Sequence, residues 1–244
     1  MRYRPARPLR DILRTIIFDM DGTLVSSLSC IQHCVNTVCQ KYVSRSLTLE
    51  ETISHFGPPA RTIIKMLTSD LADAFQNQAI SDYYECYRTN VSQKVIAFPG
   101  IMELLAKIRR SRNHLALLTG VERILMNYTL DAFDISKFFE ARISSDDVEN
   151  SKPHPEGVNL ILRNLKSKSK ETMLVGDSPA DILAGKSAGV MTAAALWSPE
   201  NRGDPTTEHP DYEFRSVQQL SDFLFAKEKT EEYGVYLAPS WSEE

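Results

Sequence analysis

Residues 15–25 read Thr15-Ile-Ile-Phe-Asp-Met-Asp-Gly-Thr-Leu-Val25, and this segment sets the architecture expected for the chain. Its apolar residues at 16–18 are β-branched or aromatic, which favours a buried strand. Asp19 would end that strand, and Asp21 with the glycine after it would form the turn that leaves the sheet. Open α/β sheets bind ligands beyond the carboxyl ends of their strands, so the segment predicts a binding site here.

The two carboxylates of this segment, Asp19 and Asp21, are separated by one residue and can converge on one small volume. Convergent carboxylates bind a hard divalent cation or share a proton, and a carboxylate beside a metal can act as a nucleophile. Taken alone, the pair is explained equally well as an ordinary Asp-Gly turn after a strand. The choice depends on residues further along the chain.

The composition is that of a globular protein of one large or two modest domains, with 244 residues, 42% hydrophobic and 25% charged. The net charge of −4 provides no general attraction to nucleic acid or to an anionic membrane. No apolar run approaches the roughly 20 residues that span a bilayer. The basic residues 1–10 are followed by no apolar core, so we expect a tail there and not a secretory signal.

The chain contains four cysteines, and they lie at Cys30, Cys34, Cys39 and Cys86. No pair has CxxC spacing, which argues against a zinc site, and a disulfide framework is not indicated. We therefore expect reduced thiols in a cytoplasmic protein.

The segment after residue 25 changes from strand to helix periodicity, and no strand is expected between residue 26 and about residue 90. Thr48 followed by Glu51 predicts a capped helix start, and Ser69 or Asp70 would cap a later helix that reaches about residue 87. An insert of about 70 residues is far longer than an ordinary loop. Because it follows the first strand, it would form a helical cap over the strand's carboxyl end.

Strands and helices alternate after this insert. The predicted strands are 114–119, 138–143, 172–177, 190–196 and 211–214, and the predicted helices are 101–110, 122–130, 155–165, 180–188 and 217–226. This alternation predicts an α/β fold with a doubly wound parallel sheet and a small all-helical cap domain. The expected division is an α/β core at 11–24 and 97–227, a cap at 25–96, and tails at 1–10 and 228–244.

Polar residues follow three later segments of the α/β pattern. Thr119 offers a hydroxyl and Gly120 an approachable backbone N–H, which suits phosphate oxygens, although an ordinary strand-to-helix loop has the same residues. Lys152 lies in a proline-stiffened segment and could neutralise phosphate, although a lone lysine is usually a surface residue. Asp177 would supply a further oxygen ligand for Mg²⁺. Asp181 could reach a metal-bound water or Lys152, or simply complement the helix dipole.

Four motifs, taken together, carry a resemblance to a known family. They are Asp19-Met-Asp-Gly-Thr-Leu24, Leu117-Leu-Thr-Gly120, Lys152-Pro-His-Pro155 and Gly176-Asp-Ser-Pro-Ala-Asp-Ile182. In this order the motifs resemble those of the haloacid dehalogenase superfamily of phosphohydrolases, and the resemblance covers about residues 15–225. The helical insert is similar to the cap of its phosphoglycolate phosphatase and β-phosphoglucomutase branch.

The resemblance implies a Mg²⁺-dependent phosphatase that acts through an aspartyl-phosphate intermediate. Asp19 would attack phosphorus, and Asp21 would protonate the leaving oxygen and later activate water. The carboxylates of Asp19 and Asp177 and the backbone carbonyl of Asp21 would hold Mg²⁺.

The remaining motif residues would bind the transferring phosphoryl group. The resemblance assigns this role to Thr119, Gly120 and Lys152, with Asp181 supporting the set from behind. Gly120 departs from the family pattern, because many relatives carry a polar residue such as asparagine there. Arg61 lies in the segment that matches the specificity loop of relatives, and it could pair with a substrate carboxylate or second phosphate; a surface helix arginine is the plain alternative.

Several alternatives stay open at this point. Asp21 favours phosphate esters over the dehalogenases and phosphonatases of the family, which lack that acid, and Lys65 is better explained as an exposed helix lysine than as a Schiff-base residue. A phosphomutase has the same motifs, and a non-catalytic binding protein could share the fold. The expected partner is a small phosphorylated metabolite, with no nucleic acid or membrane, and the protein would be a monomer or homodimer. Candidate substrates include 2-phosphoglycolate, sugar phosphates, nucleoside monophosphates and pyrophosphate.

Overall fold

The computed structural model describes residues 12–111, 113–199 and 203–225. The predicted tails at 1–10 and 228–244 lie outside these ranges, as do the outermost residues of the predicted core, 11 and 226–227. The strands in chain order are β1 (Thr15–Phe18), β2 (Val25–Ser26), β3 (Ile96–Ala97), β4 (His114–Leu118), β5 (Ala141–Ile143), β6 (Thr172–Gly176), β7 (Met191–Ala195) and β8 (Tyr212–Phe214).

The helices divide into two groups along the chain. The first group is α1 (Leu28–Val43), α2 (Leu49–Ser54), α3 (Ala60–Leu67) and α4 (Asp73–Lys94). The second group is α5 (Ile101–Arg110), α6 (Arg123–Ala132), α7 (Glu156–Leu165), α8 (Pro179–Ser187) and α9 (Val217–Phe225). The first group forms the helical cap, and the second packs around a sheet.

The main sheet has the strand order β5-β4-β1-β6-β7-β8, and every neighbouring pair is parallel. Strand β1 lies at its centre and is buried along its whole length. Ile16 and Phe18 belong to the apolar cluster that includes α5 and α9, whereas Ile17 belongs to the cluster that includes α7 and α8. Both faces of the sheet are therefore covered, which confirms the predicted doubly wound α/β fold.

The register of the central strands brings three chain segments to one edge of the sheet. Phe18 of β1 is paired with Leu117 of β4 on one side and with Val175 of β6 on the other. The residues that follow each strand therefore leave the sheet at the same level. Asp19 is held there by its backbone N–H, which donates to the Val175 carbonyl at 2.9 Å.

A small two-stranded sheet joins the cap to the core. Strands β2 and β3 pair antiparallel, with Val25 opposite Ala97 and Ser26 opposite Ile96. Neither strand was predicted from the sequence, because two residues are too few to show alternation. The pairing brings the two ends of the insert together beside the end of β1, so the cap must lie over that end.

The cap helix α4 differs from the prediction at both ends. Ser69 or Asp70 was expected to cap it, but the helix begins after Ala72, because both residues lie in a turn closed by the Leu71 backbone N–H and the Thr68 carbonyl. It continues to Lys94, beyond the expected end at about residue 87. Its buried residues lie four positions apart, at Ala79, Tyr83, Tyr87 and Val91. Packing of this stripe accounts for the continuation of the helix past residue 87.

The predicted start of α2 is confirmed in detail. The Thr48 hydroxyl accepts from the Glu51 backbone N–H at 3.1 Å, and the Glu51 carboxylate accepts from the Thr48 backbone N–H at 2.7 Å. This reciprocal pair is a capping box, which satisfies two backbone donors that the first helical turn leaves open.

The strand expected at 138–143 is shorter than predicted. Its first part is a 3-10 turn over Ser136–Phe138, and only Ala141–Ile143 pairs with β4. The other predicted elements of the core occur within one or two residues of their expected limits. No helix in the described ranges is both long enough and apolar enough to cross a membrane. The four cysteines are free thiols.

Candidate active site

The turn after β1 places the first two carboxylates. Asp19 and Asp21 are both buried, and the backbone between them is held by hydrogen bonds from the Leu24 N–H to the Met20 carbonyl and from the Gly22 N–H to the Val25 carbonyl. Gly22 has φ +86, and a Cβ there would lie 2.0 Å from Oδ2 of Asp177. Glycine is therefore required by both backbone conformation and space, because the turn packs directly against a carboxylate from β6.

Lys152 connects the ends of three segments. Its Nζ donates to Oδ1 of Asp19 at 2.6 Å, to Oδ1 of Asp181 at 2.6 Å and to the Leu118 carbonyl at 3.2 Å. An ammonium group has three donors, and here each has a protein acceptor. The side chain is only 11% exposed, so these contacts are poorly screened by solvent and hold the ammonium in one position.

Asp181 combines two roles that the sequence offered as alternatives. Its Oδ2 accepts from the Ser178 backbone N–H at 3.1 Å and from the Ser178 hydroxyl at 2.6 Å, which forms a capping box at the start of α8. Its Oδ1 accepts from Lys152. The fully buried carboxylate thus fixes both the helix start and the lysine. A Cβ at Gly176 would lie 2.2 Å from its Cγ, so the strand end leaves room only for glycine.

The third acid of the cluster, Asp177, lies directly after β6. It is buried, and its Oδ1 accepts from the Thr23 hydroxyl at 3.2 Å. Oxygens of Asp19, Asp177 and Asp181 lie within 4.8 Å of one another. Buried carboxylate oxygens at this spacing fit a hard divalent cation such as Mg²⁺. Asp19 and Asp177 are the better ligands, since both Asp181 oxygens already accept hydrogen bonds from Ser178 and Lys152.

Burial and charge act in opposite directions on this cluster. Burial is the main cause that raises the pKa of Asp19; with the opposing effect of the Lys152 ammonium and the added effect of the Asp181 and Asp21 charges, the pKa is raised to about 6. For Lys152, burial by itself lowers the pKa, but the carboxylates of Asp181 and Asp19 outweigh it and hold the pKa above its ordinary value. Lys152 is therefore a permanent cation near neutral pH, and Asp19 is mainly ionised there.

Thr119 and Gly120 follow β4 at the same edge of the sheet. The Thr119 backbone N–H donates to the Ile143 carbonyl at 2.9 Å, which ties this loop to β5. A Cβ at Gly120 would meet nothing within 4 Å. The fold itself therefore does not require glycine at 120, and the space there opens toward the cavity.

A cavity of about 480 Å³ lies between the sheet edge and the cap. The predicted site residues that line it are Asp19, Asp21, Thr119, Gly120, Lys152 and Asp177. Asp181 lies behind this surface, in contact with Lys152. Residues from four motifs that are separated along the chain thus line or support one cavity at the edge of the sheet.

Arg61 and Lys65 are not among the described residues that line this cavity. The Arg61 guanidinium contacts Asp146, and its Nε lies 3.5 Å from Oε1 of Glu122. Lys65 is exposed on α3. The Arg61 guanidinium, a candidate for substrate binding, is therefore already paired with carboxylates of the protein itself.

Sequence reasoning missed Glu122, which is 2% exposed and lies between core and cap. Its carboxylate accepts from the backbone N–H groups of Ala60 and Arg61, at 3.2 Å and 2.7 Å, and from the Tyr84 hydroxyl at 3.2 Å. Nothing in the sequence around Glu122, which precedes α6, indicates that its carboxylate caps the start of α3. Ser178 was also missed, although Ser178-x-x-Asp181 is a recognisable capping pattern.

A doubly wound sheet whose acidic strand ends face a cavity under a helical cap defines a capped α/β enzyme class. The chain belongs to the haloacid dehalogenase-like hydrolases, because the model of that family matches residues 16–195.

Similar proteins include the pyrophosphatase PpaX of Anoxybacillus flavithermus, which is 30% identical over 216 residues that cover 87% of this chain and 95% of the relative. PpaX of Oceanobacillus iheyensis is 30% identical over 208 residues, covering 85% and 95%. Two solved structures share the fold. A predicted phosphoglycolate phosphatase from Haemophilus somnus has a TM-score of 0.78 at 21% identity, covering 87% of this chain and 97% of that one. CbbY from Rhodobacter sphaeroides, in complex with phosphate, has a TM-score of 0.75 at 20% identity, covering 87% and 95%.

Proposed function

We propose that this protein is a Mg²⁺-dependent phosphatase that hydrolyses a small phosphorylated metabolite, a phosphoric monoester, through an aspartyl-phosphate on Asp19. The observation that carries the proposal is the position of Asp19. It lies at the end of β1, lines the cavity, and has the Lys152 ammonium at 2.6 Å and the Asp177 carboxylate beside it. A nucleophile, a cation for the phosphoryl group and a metal-binding carboxylate are thereby combined at one point.

The first step transfers the phosphoryl group to Asp19. A carboxylate oxygen of Asp19 forms a bond to phosphorus while the bond from phosphorus to the ester oxygen breaks. The Asp21 carboxyl group gives its proton to that leaving oxygen. Asp21 also lines the cavity, two residues along the same turn, so it can act on the same substrate.

The second step releases phosphate. Asp21, now a carboxylate, removes a proton from a water molecule as the water oxygen attacks the phosphorus of the aspartyl-phosphate. The bond from phosphorus to the Asp19 oxygen breaks, so the Asp19 carboxylate is restored and inorganic phosphate leaves. Asp21 regains the proton it gave to the leaving group, which returns the site to its starting state.

Three groups would hold the phosphoryl group through both steps. These are the Lys152 ammonium, the Thr119 hydroxyl and the Gly120 backbone N–H. Lys152 is held by Asp181 and the Leu118 carbonyl, so it is positioned before substrate arrives and needs little reorganisation. Asp181 is a positioning residue in this scheme, because it acts through Lys152.

The carboxylates of Asp19 and Asp177 and the backbone carbonyl of Asp21 would hold Mg²⁺. When bound, Mg²⁺ supplies positive charge that reduces the repulsion between an anionic nucleophile and an anionic substrate. The free thiols support the predicted cytoplasmic location. Three expectations stay predictions: the cytoplasmic location, the domain limits, and an oligomeric state of monomer or homodimer.

A panel of phosphorylated metabolites, incubated with Mg²⁺ and assayed for inorganic phosphate, tests the proposal. It includes sugar phosphates, 2-phosphoglycolate, nucleoside monophosphates and, because of the relatives named PpaX, pyrophosphate. Asp19→Asn should abolish phosphate release while its circular dichroism spectrum stays that of the wild type. A folded Asp19→Asn protein with full activity would overturn the nucleophile assignment. Formation of an isomeric phosphate in the presence of a bisphosphate activator, without release of phosphate, would instead indicate a mutase.

A further inference from the structure

The wall that the cap contributes to the cavity differs sharply from the sheet edge opposite. We call it the cap wall, and its large side chains are Ile31, Ile53, Phe56, Ile63, Tyr83 and Tyr87. The sheet edge carries carboxylates, a hydroxyl and an ammonium, whereas the cap wall carries aliphatic and aromatic side chains. A substrate whose phosphoryl group lies at Asp19 therefore directs the rest of its structure toward an apolar surface.

The positive charge of the cavity is confined to its sheet side. Among the described residues that line the cavity, Lys152 is the one with a cationic side chain, and it contacts Asp19 and Asp181. Arg61 follows Ala60, which lines the cavity, but its guanidinium is held by Asp146 and Glu122. The described part of the cap wall therefore supplies no countercharge to a second anionic group.

Of the two tyrosines in the cap wall, Tyr87 pairs its hydroxyl with that of Thr129 at 2.9 Å, and Tyr83 carries the other hydroxyl. Burial raises the pKa of the Tyr83 hydroxyl well above the ordinary value, so the phenol stays neutral and can donate a hydrogen bond. A neutral donor suits a hydroxyl, ether or carbonyl oxygen. It does not replace the water shell that a phosphate or carboxylate loses on burial.

We infer that the substrate is a monoester with a single phosphate whose leaving group is uncharged and largely apolar, of the alkyl or aryl class. The inference rests on the proposed function, because it assumes that phosphoryl transfer occurs at Asp19. The cavity of about 480 Å³ lies within the size range of small-molecule sites. Pyrophosphate, which the names of the PpaX relatives indicate, would bring a second phosphate against the cap wall. Burying that charge without a partner is unfavourable, so pyrophosphate is a poor substrate for this chain.

Three compounds test this inference with the wild-type protein and Mg²⁺. They are butyl phosphate, the same chain ending in a carboxylate (4-phosphonooxybutanoate), and inorganic pyrophosphate. The first two compounds have primary alcohol leaving groups of similar reactivity. The ratio of their kcat/KM values therefore reports on the effect of the terminal charge. We expect kcat/KM for butyl phosphate to exceed that for the carboxylate by at least about tenfold, and pyrophosphate to be hydrolysed more slowly than butyl phosphate.

A substitution in the cap wall provides a second test of the inference. Ile63 is half-buried on α3, so Ile63→Lys can place an ammonium at the wall, and Ile63→Met is the neutral control of comparable length. We expect Ile63→Lys, relative to Ile63→Met, to raise the kcat/KM ratio of the carboxylate to the butyl ester by about tenfold. If Ile63→Lys does not fold, Ile53→Lys compared with Ile53→Met makes the same test from α2.

The outcomes separate this inference from the proposed function. If wild type hydrolyses the carboxylate or pyrophosphate as fast as butyl phosphate, or if the lysine variant leaves the ratio unchanged, the inference is overturned and the phosphatase assignment stands. If no phosphoric ester in the broader panel releases phosphate from a folded, Mg²⁺-loaded protein, both are wrong. The inference is supported if wild type prefers butyl phosphate to the carboxylate and the added lysine reverses this preference.

Discussion

The Glu122 carboxylate of the core lies 2.7 Å from the backbone nitrogen of Arg61 in the cap. The same carboxylate accepts from the Ala60 N–H, so a residue at the start of α6 caps the start of α3. A negative charge at a helix start also complements the helix dipole. This contact joins the loop after Thr119-Gly120 to the cap segment that faces the cavity. This buried carboxylate of the core therefore helps to hold the cap over the site.

Glu122→Ala should destabilise the protein and loosen the cap. It removes the acceptor for two backbone donors, so we expect the free energy of unfolding to fall by about 1–2 kcal/mol, the usual effect of losing a helix cap. We also expect kcat/KM to fall, because α3 no longer has a fixed start. Urea unfolding and steady-state kinetics measure the two effects. Glu85→Ala, at an exposed glutamate paired with Arg88 on the surface of α4, is the control and should change neither. Wild-type stability and kinetics in Glu122→Ala would show that the cap is held by other contacts.

Lys152→Met should remove activity. The substitution leaves the buried Asp19 and Asp181 carboxylates without their shared cation, and it removes the group proposed to hold the phosphoryl oxygens. We expect kcat/KM to fall by about a hundredfold or more and stability to fall by about 3–5 kcal/mol, as when one partner of a buried ion pair is lost.

Lys65→Met is the matched control for this change. Lys65 is exposed on α3 and lies away from the described lining of the cavity, so its loss should leave phosphate release and stability within error. Equal losses in both variants would contradict the assignment of Lys152. Selective loss of activity in Lys65→Met would instead revive a role for this lysine in catalysis.

Gly22→Ala should disturb the metal site through Asp177. The added Cβ would lie 2.0 Å from Oδ2 of Asp177, and the position has φ +86. Gly189→Ala is the matched control, since φ there is +69 but the new Cβ would meet only Oγ of Ser169 at 4.0 Å. Both variants should lose about 1–2 kcal/mol from backbone strain. Only Gly22→Ala should also need more Mg²⁺ for half-maximal activity, which a Mg²⁺ titration of the rate measures. Identical Mg²⁺ requirements in the two variants would contradict this geometry.

Mg²⁺ should stabilise the folded protein through Asp177. A ligand that binds only the native state at a hundred times its Kd adds about 2.7 kcal/mol, so the melting temperature should rise as Mg²⁺ is added and return to its starting value with a chelator. Asp177→Asn should lose most of this rise. Asp131→Asn, at an exposed acid of α6, should retain it. Melting curves measured over a range of Mg²⁺ concentrations give the comparison, and an undiminished rise in Asp177→Asn would place the metal elsewhere.

The parts of the fold that were predictable rest on short-range signals. The apolar residues of β1 and β6 are each followed by an acid, and both strands occur where they were predicted. Thr48 and Glu51 predicted the start of α2, because the two residues satisfy each other's backbone within one turn. The limits of α4 were wrong, because Tyr87 and Val91 extend the helix by packing and not by a local signal.

Residues 15–182 indicate their chemistry by type and spacing, with acids after apolar strands and a lysine directly before two closely spaced prolines. These patterns act over a few residues, so the chain alone was enough to predict the class of fold and to propose the candidate site residues. The contacts between these residues are set by the tertiary structure, because they join distant parts of the chain. Lys152 meets Asp19 across 133 positions, and Glu122 meets the Arg61 backbone across 61. The pairing of Arg61 with the protein's own acids and the apolar character of the cap wall depend on such distant contacts, because side chains far apart in the chain become neighbours only when the sheet and cap are packed together.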